Sequence, residues 1–188
     1  VVLNEGLETL EDDVFRYCEN FSEINIPGSL KQVRDEYFEF LPLKKVVLQE
    51  GVESIGERAF YNCNNLEEAF IPGTVNEIRN YAFASCKSLR KVVMKEGIKL
   101  LKESAIQECE SLVEIIIPAS VKEIEGSVFS SCNNLKKVIF LGCPNTIGSY
   151  IGPAFLTCFK LSEVVAPSNF IKRVANTLCN EQQLRIRG

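Results

Sequence analysis

Residues 55–72 read IGERAFYNCNNLEEAFIP, and their central frame, Ala-Phe-x-x-Cys-x-x-Leu, returns down the chain at a spacing of 23 residues. Ala59, Phe60, Cys63 and Leu66 are followed by Ala82, Phe83, Cys86 and Leu89, then by Ala105, Ile106, Cys109 and Leu112, then by Val128, Phe129, Cys132 and Leu135. A domain built around one central core has no reason to hold such a register. A solenoid must hold it, because each coil stacks the same side chains on its neighbour. The frame extends outward more weakly, through Phe15 with Cys18 and Phe21, Phe38 with Leu43, and Phe155 with Cys158 and Leu161.

A second apolar set precedes each Phe position by eight and five residues: Leu7 and Leu10, Leu30 and Val33, Val52 and Ile55, Val75 and Ile78, Ile98 and Leu101, Val121 and Ile124. After each Leu comes a short alternating run. A side-chain period of two puts Ile24 and Ile26, or Val46 and Leu48, on one face of a strand. The pattern predicts an α/β repeat solenoid, a right-handed leucine-rich-repeat coil. A parallel sheet forms one face, and short helical or 3₁₀ segments around each Phe form the other.

The stretch from Ile55 to Pro72 resembles the BspA-type (Treponema pallidum-type) leucine-rich repeats, whose pattern is close to I-G-x-x-A-F-x-x-C-x-x-L-x-x-V-x-I-P. The resemblance covers residues 1–167 in several successive units. It implies a cell-surface or secreted protein of bacterial type, since the family consists largely of such proteins, and a role in adhesion to host matrix or cell-surface proteins. It supplies no catalytic residues.

Residues 1–167 are therefore expected to form about seven coils, and residues 168–188 a C-terminal cap. Val1 to Gly6 match Val46 to Gly51, so the chain is expected to start inside a strand, with further sequence upstream. From Ser168 the repeat dissolves. Phe170, Val174 and Leu178, with Ile171 and Ala175, fall on one face of a helix that would cover the last coil. The other reading is one more degenerate coil, with Leu184 and Ile186 in a final strand.

Two coil subtypes alternate. The residue before the first inward strand position runs Glu23, Lys45, Glu68, Lys91, Glu114, Lys137, Glu163, and the coils with Glu carry Pro27, Pro72, Pro118 and Pro167. Strands ~4.8 Å apart would set these opposite charges side by side. They read either as a charge-selective binding face or as a self-neutralising column, in which each Glu pairs with a Lys above and below.

Between the inward strand residues sit Asn25, Val47, Phe70, Val93, Ile116, Ile139 and Val165, which alternation turns outward. Such a stripe serves sheet stability through β-propensity, or marks a partner surface. The candidate protein-binding face is Val47, Glu68, Phe70, Lys91, Val93, Glu114, Ile116, Lys137 and Ile139.

Other chemistries are excluded by inventory. The 188 residues contain no His, so the commonest general base is missing, and no phosphate-binding or dinucleotide glycine pattern occurs. No cofactor or metal is expected. The eight cysteines include no C-x-x-C pair, and equivalent thiols stacked in a solenoid bridge poorly. The cysteine column reads as small buried corners. Cys143, off that column, is the candidate for a free thiol or a bond to Cys132 or Cys158. Net charge is −4, with Lys and Arg dispersed among acids, which argues against nucleic acid. No apolar run reaches the ~18 residues of a membrane span. Two functions remain: a non-catalytic protein-binding module, and a structural spacer or intracellular scaffold with no ligand on this stretch.

Overall fold

In a computed structural model, the described residues are 2–11, 14–15, 18, 20–148, 154–170 and 185–187. They contain fourteen strands: β1 (Glu23–Ile26), β2 (Gln32–Val33), β3 (Lys45–Leu48), β4 (Ser54–Ile55), β5 (Glu68–Ile71), β6 (Glu77–Ile78), β7 (Lys91–Met94), β8 (Leu100–Leu101), β9 (Glu114–Ile117), β10 (Glu123–Ile124), β11 (Lys137–Phe140), β12 (Thr146–Ile147), β13 (Glu163–Val165) and β14 (Arg185–Arg187). All pair in parallel with the equivalent strand of a neighbouring coil, as a solenoid requires. The odd-numbered strands, with β14, build a wide face. The two-residue even-numbered strands, which hold the second residue of each apolar pair, such as Ile55 after Val52, build a continuous six-stranded narrow face, from β2 to β12.

The core is the set of columns read from the repeat. Ile24, Ile26, Val46, Leu48, Ala69 and Ile71 point inward from the wide face and are buried, as are Leu30, Val33, Val52, Ile55, Val75 and Ile78 from the narrow one. The Phe column stacks ring on ring, with centroids 5.2 Å apart for Phe38 and Phe60 and 5.0 Å for Phe60 and Phe83. That spacing nearly matches the ~4.8 Å strand separation, so one ring per coil fits without a gap. Ile106 interrupts the column, and stacking resumes between Phe129 and Phe155 at 5.0 Å.

The third face differs from expectation. No helical or 3₁₀ segment occurs among the described residues; the stretch around each Phe is a run of turns. Two residues per coil, four apart, take left-handed backbone: Arg58 and Asn62, Tyr81 and Ser85, Ser104 and Glu108, Ser127 and Ser131, with φ between 53° and 60°. This conformation turns alternate amides along the solenoid axis. Arg58, Phe60 and Asn62 donate their N–H groups to the carbonyls of Asn80, Ala82 and Ala84 in the next coil, at 3.0, 2.8 and 2.9 Å. A helix would spend those donors within its own segment, whereas the turns spend them on stacking.

The two subtypes interlock at one corner. The Gly51 and Gly97 amides donate to the hydroxyls of Thr74 and Ser120 in the following Pro-containing coil, at 3.0 and 2.8 Å. Gly97 has φ of 132°, and a Cβ there would run into the Gly73 carbonyl, so only glycine serves.

The wide face is divided. Strands β1, β3, β5 and β7 form one sheet, and β9, β11, β13 and β14 another. The division falls where the ring column stops at Phe83 and Ile106 follows. At the C-terminal end Phe170 is buried and meets the Phe140 ring edge-on at 5.5 Å. The helix expected over Val174 and Leu178 lies outside the described residues. Beyond it Arg185–Arg187 form β14 against β13, where the reading of a final strand placed one.

Candidate functional site

All nine candidate residues lie on the outer surface of the wide face, because strand alternation sends their neighbours into the core. The sheet division sorts them into two groups. Val47, Phe70 and Val93 are register partners on one sheet, and Ile116 and Ile139 on the other. Most are half-buried, and Ile116 is 43% exposed.

The charge column behaves differently on the two sheets. On the second, Lys137 lies 3.8 Å from both Glu114 and Glu163, the pairing that self-neutralisation predicts. On the first, the ammonium groups of Lys45 and Lys91 lean over the Phe70 ring, 5.4 and 5.0 Å from its centroid. Glu68, their register partner, is approached by Arg90 at 3.8 Å. Phe70 is the one aromatic in the outward column. A cation over an exposed ring gains ~0.5–1 kcal/mol, as much as a surface ion pair of ~0–1 kcal/mol, so the ring competes evenly with the carboxylate.

The first sheet also holds a groove of about 300 Å³, lined by Lys45, Val47, Phe70, Pro72 and Val93 together with Glu50 and Lys95. The Lys95 ammonium donates to the Glu50 carboxylate at 2.9 Å, and this bond is the main cause holding the Glu50 carboxyl below its ordinary pKa. The candidate face, as read from sequence, omitted Lys45, Glu50, Pro72 and Lys95. The outward column at 49, 72 and 95, two positions past the apolar stripe, was the signal available. A polar cleft beside the narrow face commits its Asp35 carboxylate to the Glu57 amide, at 2.8 Å.

The groove offers apolar walls, one ring and two ammonium groups, with no nucleophile beside a base. That arrangement is suited to holding a partner. Among the described residues no group of His, Cys, Asp and Glu is placed to hold a metal ion.

The cysteine column has a structural use more specific than filling corners. Each thiol donates to the main-chain carbonyl at the Phe position of the preceding coil: Cys63 to Phe38, Cys86 to Phe60, Cys109 to Phe83 and Cys132 to Ile106, at 3.0 to 3.3 Å. Burial pushes the Cys63 and Cys158 thiols up to about 12 and raises those of Cys86 and Cys109 well above the ordinary range. They are donors, not nucleophiles. Cys143 is a free thiol directed at the Asn169 side-chain oxygen, 3.3 Å away, and is not bonded to Cys132 or Cys158.

Six copies of a repeat model described as "BspA type Leucine rich repeat region" match the chain, over residues 1–112 and 64–185. No curated protein matches. Among solved structures, the leucine-rich repeat protein of T. pallidum superposes with a TM-score of 0.70 at 23% identity, covering 87% of this chain and 86% of that one. A leucine-rich repeat protein from Bacteroides ovatus superposes with a TM-score of 0.64 at 23% identity, covering 100% of this chain. This chain spans 41% of the length of the Bacteroides protein. At these identities the likeness is one of fold.

Proposed function

The chain belongs to the BspA-type leucine-rich repeat family, and from that premise we propose that it is a non-catalytic protein-binding module, working through its wide face at the cell surface or after secretion. The observation that supports this most directly is the register of Val47, Phe70 and Val93 beside a groove of about 300 Å³. Apolar side chains half-exposed in a row, on strands fixed by a stacked core, make a preorganised surface whose binding costs little ordering entropy. Its polar rim of Lys45, Glu68 and Lys91 matches the usual layout of an apolar interface centre with charged edges. No helix among the described residues is long and apolar enough to cross a membrane.

The partner class is a host matrix or cell-surface protein. The test is surface plasmon resonance against a panel of purified extracellular-matrix and cell-surface proteins, with wild type beside a Phe70→Ser, Val93→Ser variant. The expected outcome is at least one ligand bound by wild type and lost by the variant, with the thermal midpoint retained. A panel on which wild type and variant bind alike removes this face, and a panel with no ligand favours the spacer role.

A further inference from the structure

Resting on the reading of the wide face as a protein-binding surface, we infer that the groove at Phe70 takes an extended acidic segment of the partner, whose carboxylates meet the Lys45 and Lys91 ammonium groups and whose apolar side chains rest against Val47, Phe70 and Val93. The argument is charge complementarity. Lys45, Lys95 and Glu50 line the groove, and Glu68 and Lys91 stand beside it on β5 and β7. Lys95 is committed to Glu50 at 2.9 Å, and Glu68 has Arg90 at 3.8 Å, with Arg90 itself bonded to Glu67 at 2.8 Å. Lys45 and Lys91 instead converge on one ring, both within 5.4 Å of its centroid. A carboxylate is the group that each ammonium most favours, since it exchanges a weak cation–π contact for a charge-assisted hydrogen bond.

The second sheet makes the contrast. Its lysine, Lys137, already has Glu114 and Glu163 at 3.8 Å, so an acidic partner gains nothing there. Specificity for the first sheet follows from the presence of Phe70 in the outward column, where the other coils carry Val, Ile or Asn. The net charge of −4 does not oppose this binding at physiological salt, because fields beyond ~8 Å are screened and the local lysines decide. An extended segment suits the site because the groove runs across β3, β5 and β7, whose backbones are already paired. Recognition there must come from side chains.

The test pans a random twelve-residue peptide library, displayed on phage, against wild type and against a Lys45→Gln, Lys91→Gln variant. Both substitutions are at the surface and should leave the thermal midpoint and circular dichroism unchanged. The expected result is enrichment on wild type of peptides with Asp or Glu next to an aliphatic or aromatic residue. A fluorescein-labelled consensus peptide should then lose about tenfold or more in affinity on the lysine variant, on Glu→Gln replacement in the peptide, and in high salt. Enrichment without a carboxylate preference, or equal affinity for wild type and variant, overturns the inference. Peptides lost on Phe70→Ser but kept on the lysine variant also overturn it, and in that case the apolar protein-binding face stands without the acidic specificity.

Discussion

Lys95 reaches across an entire coil to Glu50, 45 residues earlier in the chain, and donates to its carboxylate at 2.9 Å. The intervening coil carries Pro72 at the equivalent position and has no charge to offer. Pairing across two coils is what a two-coil repeat unit permits and a single-coil unit forbids. It ties the groove's lining at Glu50 and Lys95 to the alternation of subtypes.

This pair is sensitive to acid. Its bond lowers the Glu50 pKa in the folded state, so the contribution is complete at neutral pH and fades as pH falls through and below the ordinary carboxylate range. Lys95→Ala should therefore lower the urea midpoint at pH 7, with the gap to wild type closing by pH 3. A gap that stays constant with pH would show that the pair contributes nothing to folding.

Lys137→Glu would place three carboxylates in register on β9, β11 and β13. Because these groups are part-exposed, the expected loss is small, about 1 kcal/mol, and it should shrink in high salt. Urea titrations at two salt concentrations measure it.

Phe60 stacks on Phe38 and Phe83 at interplanar angles of 8° and 9° and is fully buried. Phe60→Ala should cost about 3–5 kcal/mol, against about 0.5–1.5 kcal/mol for Ile106→Val, which removes one methyl group where no ring is stacked. Thermal unfolding of both variants compares them; equal losses would mean that the buried Phe60 ring contributes no more than one methyl group.

The column thiols should resist alkylation in the folded protein. At pH 8, with Cys63 and Cys158 pushed up to about 12 by burial, iodoacetamide mapped by mass spectrometry should spare Cys63, Cys86, Cys109, Cys132 and Cys158 until urea is added. Modification of any of these five in native buffer at the rate of Cys143 would contradict the buried donor role.

Ser127 holds φ of 59°, in the region glycine adopts freely. Ser127→Gly should hold or raise the thermal midpoint, whereas Ser127→Val should lower stability by about 1–3 kcal/mol. A harmless Val would mean that the turn tolerates right-handed backbone there.

The inward columns and strand faces were legible because both periods, 23 residues for the coil and two for the strand, repeat in side-chain type. The turn face was not. Its left-handed positions hold Arg58, Tyr81, Ser104 and Ser127, side chains with no shared preference for that backbone, so the conformation comes from the hydrogen bonds between coils. The charge alternation read correctly around Lys137. It misled around Lys45 and Lys91, because the repeat does not weigh one aromatic neighbour against a carboxylate. Ile106, the single aliphatic in the Phe column, was the only mark in the sequence of the boundary where the wide sheet divides.

The hydrogen bonds between turns, like those in both sheets, run along the solenoid axis and join each coil only to its neighbours. Tension applied at the two ends therefore loads the coil boundaries in series. Stretched from its ends, a solenoid built this way should lengthen in steps, a 23-residue coil releasing about 76–83 Å of extended chain. The boundary between the β7 and β9 coils, which lacks pairing on the wide face and keeps it between β8 and β10, should be the first to give. Pulling a single molecule would show that step before the others, with the groove at Phe70 still intact on the sheet left behind.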